Sequence, residues 1–269
     1  MVHEFHPKPL FVHGNVIHLT SRPSSPVTGY LLASCGKSDT PAPTPAVSTA
    51  KIAIFNGAAN VNVATKVLVD EVEKATLNYG QFSSYQTINA GTPTFKIVGG
   101  TTVLATQPLA IEKDKNYSFF AYNTGTSNAT TGLLVADELT VPATTPAPGK
   151  VRVRLVHLGQ GLGTVGGQGT ALPINLSETQ TVGFADRIAN VAFGTASSFL
   201  EINAGTFNLA ITTGTVPTNT FQFNVGDGTG AGTGTKVYEA GKIYTIIVRG
   251  AESNLDANLK PRAYIASNN

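Results

Sequence analysis

The sequence predicts an all-β chain of two tandem immunoglobulin-like antiparallel β-sandwich domains. Three observations carry that expectation. Short runs alternating apolar with polar residues recur from Lys51 onward, with no helical stretch of any length between them. Turn formers such as Asn89-Ala90-Gly91 and Val98-Gly99-Gly100 separate the runs. A long segment also recurs: Leu77 to Val98, LNYGQFSSYQTINAGTPTFKIV, aligns without a gap on Val191 to Thr212, VAFGTASSFLEINAGTFNLAIT.

The elements follow in chain order. Residues 1–34 form a leader or signal-like segment and 35–50 a Pro-rich tether. Residues 51–139 are the first sandwich, with strands expected near 51–55, 62–69, 82–88, 94–98, 102–111, 116–123 and 132–138. Asp70 to Ala75 is the one competing helix, too short to matter. Residues 140–149 are a second Pro-rich linker, and 150–269 the second sandwich. The strand starts agree between the copies, KIAIFNG from Lys51 against KVRVRLVHLG from Lys150, and KNYSFF from Lys115 mirrors KIYTII from Lys242.

Composition narrows the setting. Of the 269 residues 41% are hydrophobic, enough for packed cores, while only 13% are charged, which suits a protein outside the cytoplasm. The 18 basic and 16 acidic residues are scattered, so no face gathers the cations that a nucleic-acid backbone needs. No apolar run approaches the length of a membrane-spanning helix.

The single cysteine, Cys35, rules out an internal disulfide framework and any zinc site built on cysteines. Its context, Leu32-Ala33-Ser34-Cys35-Gly36, resembles a bacterial lipobox, which implies lipidation of Cys35 and an outer-membrane or cell-surface anchor in a Gram-negative bacterium. The stretch before it departs from a signal peptide: it holds His3, His6, His13 and His18 and lacks a basic start and an apolar core.

The pairs Tyr79-Gly80 with Phe193-Gly194, Ser83-Ser84 with Ser197-Ser198, and Ala90-Gly91-Thr92 with Ala204-Gly205-Thr206, followed by Gly241-Lys242-Ile243-Tyr244-Thr245, resemble the bacterial family called domain of unknown function 4397. The first copy departs from it at Lys113-Asp114-Lys115. The resemblance implies an extracellular or lipid-anchored protein, often with tandem domains, and no established activity or functional residues.

Two glycine-rich stretches invite chemistry. Gly161-x-Gly163-x-x-Gly166 has dinucleotide-turn spacing, yet Gly167-Gln168-Gly169-Thr170-Ala171-Leu172-Pro173 after it cannot open the helix that holds a pyrophosphate. Gly226-Asp227-Gly228-Thr229-Gly230 resembles a calcium β-roll repeat, but one Asp supplies too few oxygens. No nucleotide, metal or other cofactor is therefore expected. The loops 159–169 and 226–235, with Gln160, Gly161 and Asp227, are the expected ligand loops if they share one end.

Catalysis finds little support. His157, oriented by Asp186 or Glu201, has no Gly-x-Ser-x-Gly nucleophile context. Asp70-Glu71 and Asp137-Glu138 read as solvated strand ends, and the matched aromatics Tyr79/Phe193, Tyr85/Phe199 and Tyr117/Tyr244 as core. The expectation is a non-enzyme: a cell-envelope lipoprotein acting as a binding, adhesion or scaffold module toward an envelope protein or glycan. One alternative is a glycan-binding accessory protein of a surface uptake system, with Phe221 and Phe223 as stacking residues. The other is a self-assembling subunit that pairs Ala42 to Ala50 with a neighbour's sheet edge.

Overall fold

In the computed structural model, the described residues are 47–125, 129–137, 148–231 and 234–269. Cys35 and the leader lie outside them. Residues Pro45–Asn269 fall in one compact unit, and all its extended elements are β, with no α-helix among the described residues.

The N-terminal half contains β1 (Thr49–Gly57), β2 (Thr65–Val69), β3 (Val72–Leu77), β4 (Gln86–Asn89), β5 (Thr94–Gly99), β6 (Thr102–Pro108), β7 (Asn116–Asn123) and β8 (Thr130–Ala136). They form two sheets, β4-β1-β7-β8 and β3-β2-β5-β6. The C-terminal half contains β9 (Lys150–Gln160), β10 (Ile174–Thr179), β11 (Phe184–Val191), β12 (Thr195–Ala196), β13 (Leu200–Asn203), β14 (Gly205–Phe207), β15 (Leu209–Thr213), β16 (Thr220–Asn224), β17 (Lys236–Tyr238), β18 (Ile243–Ala251) and β19 (Arg262–Ser267). One sheet here runs β12-β9-β18-β19, with β13 also on β9; the other runs β11-β10-β15-β16, and β14 pairs β17. The two halves thus repeat one strand order. In each, the opening strand pairs in parallel with a later one, β1 with β7 and β9 with β18.

Small groups carry the repeat. Ser83 N–H donates to the Ile54 carbonyl (2.8 Å) while Ile54 N–H donates to Ser83 Oγ (2.9 Å); Ser197 and Leu155 make the same pair. Tyr117 OH accepts from Glu112 N–H and Tyr244 OH from Glu239 N–H, closing the corner before β7 and β18 as a tyrosine corner does.

Two sequence expectations change. Asp70 to Ala75 is not helical: Asp70 and Glu71 have φ of 49° and 64° and form the two-residue turn between β2 and β3, a strand the sequence did not disclose. The central strands are also not half-buried. Ile52, Ile54, Phe119 and Ala121 face the N-terminal core, whereas Phe55 and Phe120, on the opposite face of the same sheet, pack against Val156, Leu158 and Ile247 of the C-terminal half. Val153, Leu155, Ile246 and Val248 meanwhile fill the C-terminal core. The sheets β4-β1-β7-β8 and β9-β18-β19 therefore lie face to face, and strands covered on both faces lose strict alternation.

At the middle of this contact lies an ion pair. Arg154 (1% exposed) donates from Nη2 to Asp137 Oδ1 (0% exposed) and to Ser118 Oγ (3.1 Å), and from Nε to Thr245 Oγ1 (2.8 Å). Asp137 Oδ2 accepts from Ser118 Oγ (2.9 Å) and from Tyr85 OH (2.6 Å), and Tyr85 OH accepts from Asn268 Nδ2 (3.3 Å). Burial, reinforced by the Asp137 charge, pushes the Tyr85 hydroxyl up, so it remains a donor. Asp137 is thus not the solvated strand end expected from Asp137-Glu138. A buried ion pair contributes little net stability. Burial of Phe55, Phe120, Val156, Leu158 and Ile247 is worth on the order of 10 kcal/mol in gross terms. The apolar side chains therefore supply most of the contact's energy, with the ion pair at its centre.

Candidate functional site

The parallel pairs β1/β7 and β9/β18 end at the same pole of the molecule. Gln160, at the end of β9, donates from Nε2 to the carbonyls of Thr124 and Gly125, just past β7. Arg249, near the end of β18, stacks on Tyr79, whose neighbour Gly80 hydrogen-bonds the end of β1.

Three loops at this pole are longer in the C-terminal half. Residues 161–173 follow β9 where 58–64 follow β1; 252–261 follow β18 where 124–129 follow β7; 214–219 join β15 to β16 where 100–101 join β5 to β6. The first two, with β16, enclose a cleft of about 600 Å³, within the size range of ligand sites. Thr164, Gln222, Phe223, Glu252, Asn254 and Lys260 supply most of its chemistry.

The glycine loop is built rather than slack. Gly161, Gly163, Gly166 and Gly167 all have positive φ, between 63° and 75°, which only glycine adopts without strain. A Cβ on Gly167 would sit 2.7 Å from Ser253 N, so the loop packs directly on the 252–255 backbone. The loop closes through a 3-10 turn, Val165–Gly167, and leads to β10. Lys260 Nζ donates to the Glu252 carbonyl (2.9 Å) and lies 3.9 Å from its carboxylate, so the two charges of the cleft face each other.

The expected ligand residues separate. The glycine loop lines the cleft, but Gln160 is buried against the N-terminal half and Gly161 lies under Gly167. Asp227 does not line the cleft; its Oδ1 accepts from Thr229 N–H (2.9 Å), which lowers its pKa. The loop around it packs on β19, with Gly228 against Ile265 and Gly230 against Arg262. Phe223 packs on the core and reaches the cleft, whereas Phe221, 47% exposed, stacks parallel on Phe184 (6.0 Å) at the surface. A register shift between Ile211 and Thr212 lets the two residues point opposite ways.

His157 is held as a structural group. Gly159 N–H donates to Nδ1 (3.3 Å), which leaves Nε2 to donate to the Leu172 carbonyl (3.0 Å), and Phe193 packs edge-on at 5.5 Å. Burial lowers its pKa to about 4, so it is neutral. The proposed orienters are engaged elsewhere: Asp186 accepts from Ser177 and Asn219, and Glu201 lies beside Arg152. Among the described residues no cluster of three or more His, Cys, Asp or Glu is placed to hold a metal, and no helix is long and apolar enough to cross a membrane.

Sequence reasoning missed Lys260, Glu252 and Asn254, whose signal is the extra length of 252–261. It also missed Arg154, a charge inside the apolar run VRVRLV.

Residues 50–166 match the model of a family described as "Domain of unknown function (DUF4397)". No curated protein matches the chain. Among solved structures, 74% of the chain is similar, at 12% identity and a TM-score of 0.19, to a leucine-rich repeat protein from Bacteroides thetaiotaomicron VPI-5482. The chain spans a quarter of that protein's length, and at that score the likeness carries no argument.

Proposed function

We propose that this chain is a non-catalytic binding module of the cell envelope, built from two copies of the matched family's domain and anchored through a lipid on Cys35. The observation that carries it is the growth of two loops, 161–173 and 252–261, at one pole of the C-terminal half into a cleft with β16, over an otherwise repeated strand order. The entry of the chain supports the same reading: β1 starts at Thr49 and its far end meets the loops, so an anchor before residue 47 would hold the cleft away from the membrane.

The anchor is tested by mass spectrometry of the mature amino terminus from membranes of cells making wild type and Cys35→Ala. A lipidated Cys35, and release of the variant, is the expected result; an unmodified chain in the soluble fraction overturns the anchor. Binding is tested by capture of labelled envelope material on the full chain and on Asn254→Ala/Lys260→Ala, with capture lost in the variant.

A glycan is the second reading of the ligand, favoured by the polar side chains of Thr164, Gln222 and Asn254, the mutually facing Glu252 and Lys260, and the Phe223 ring. Neutral and acidic oligosaccharides compared on the same chain decide it, since a neutral glycan binds independently of salt. Self-assembly through Ala42 to Ala50 gains less support. Ser48 already accepts from Ala90 N–H, Thr49 from Asp114 N–H, and Thr49 and Ala50 pair with β4; residues 42–46 lie outside the described residues.

A further inference from the structure

The contact between the halves is reciprocal residue for residue. The ladders fix the equivalences: Ile52 pairs with Tyr117 as Val153 pairs with Tyr244, and Tyr117 with Ala136 as Tyr244 with Ser267. By that register Tyr122 corresponds to Arg249, Ser118 to Thr245, Asp137 to Asn268 and Ala53 to Arg154. The contacts then exchange as in a two-fold dimer. Gly80 lies under Arg249, where a Cβ would come within 2.8 Å of Nη2, and Gly194 lies under Tyr122, where a Cβ would come within 2.8 Å of the hydroxyl. The motif residues Tyr79 and Phe193 face the same two partners, at 4.2 Å and 5.8 Å. The apolar ring also matches by register, with Phe55, Phe120, Leu133 and Val135 answering Val156, Ile247, Tyr264 and Ala266.

Symmetry fails at the centre. Where the C-terminal half has Arg154, the N-terminal half has Ala53; where the N-terminal half has Asp137, the C-terminal half has Asn268. We infer that this face is a self-complementary docking surface for a second copy of the same module, and that Arg154 and Asp137 form a one-way lock making each half accept only the unlike half. Pairing two N-terminal halves buries two Asp137 carboxylates with Ala53 opposite and no cation. Pairing two C-terminal halves buries two Arg154 guanidinium groups with Asn268 opposite and no anion. Only the unlike pair is neutral and hydrogen-bonded, so specificity comes from what the lock forbids. The inference is independent of what the cleft binds.

The test uses full chains carrying light or heavy nitrogen, unfolded and refolded together, cross-linked through lysines and read by mass spectrometry. Links joining the same half of a light and a heavy chain report like-with-like pairing. Wild type is expected to give none. Arg154→Ala/Asp137→Asn, which makes both central positions match, is expected to raise such links about tenfold or more. Arg154→Met/Asp137→Asn keeps the volume filled and serves if the first variant does not fold. Ile247→Ala weakens the contact but leaves the lock intact, and is expected to stay at the wild-type level. Two results overturn the inference: like-with-like links in wild type, or a folded lock-free variant with no more of them than Ile247→Ala.

Discussion

The two halves spend one strand order on different ends. In the N-terminal half the loops at the far pole are short, and Val63 and Val103 stand exposed on plain turns and strands. In the C-terminal half the same three connections lengthen, and two of them, 161–173 and 252–261, enclose a cleft with β16 and carry most of its polar groups. Their shared sheets face each other and are the least free to change. The difference teaches that a repeated module pays for a fixed contact face by diverging at its loops, where backbone is near water and insertions cost little.

The comparison breaks most readily at the contact. Asp137→Leu strands Arg154 without its partner, and loss of about 3–5 kcal/mol is expected. Calorimetry of the full chain reads it, and both halves should lose stability together; a shift confined to one transition would separate them.

Acid comes next and should touch only one half. His157 corresponds by register to Asn56, whose Oδ1 accepts from Ala58 N–H two residues on, as His157 Nδ1 accepts from Gly159 N–H; Asn56 Nδ2 donates to the Leu77 carbonyl, where His157 donates to Leu172. The pKa of His157 falls from 6.5 in the unfolded chain to about 4 in the folded one. Between those values the unfolded state binds the extra proton, so stability is full above about pH 6.5 and declines as pH drops toward 4. The loss approaches about 3 kcal/mol. His157→Asn should flatten the denaturation midpoint across that window; an unchanged slope would place the acid sensitivity elsewhere.

The paired glycines sharpen the reciprocity. Gly80→Ala and Gly194→Ala each meet positive φ and a contact at 2.8 Å, and each should cost about 1–3 kcal/mol by chemical denaturation. Similar losses support equal roles; a neutral result at one site breaks the equivalence. Smallest is Asn254→Ala, expected within about 0.5 kcal/mol of wild type in stability. It should alter only capture by the cleft.

Much of the fold was legible because strand alternation and turn residues are local signals. The repeat exposed Ser83/Ser197 and Tyr117/Tyr244, whose bonds are nearly identical in the two halves. β3 escaped notice because VEKATL mixes polar and small residues on an edge strand. The contact escaped because burial on a second face is decided by a distant segment: nothing near Asp137 announces Arg154; Tyr79, read as core, stacks on Arg249 of the other half; and Phe193 packs on its own core and on Tyr122 as well. The site was legible only as loop length. Gly163 and Gly167 line the cleft, but Asp227 does not, since its loop packs along β19.

The chain enters at Thr49 and runs along β1 toward the cleft pole, paired in parallel with β7 across seven residues. Tension applied between an anchor before β1 and anything gripped at the far loops pulls along the strand axis. Such a load shears the ladder instead of unzipping it, and all seven pairs resist at once.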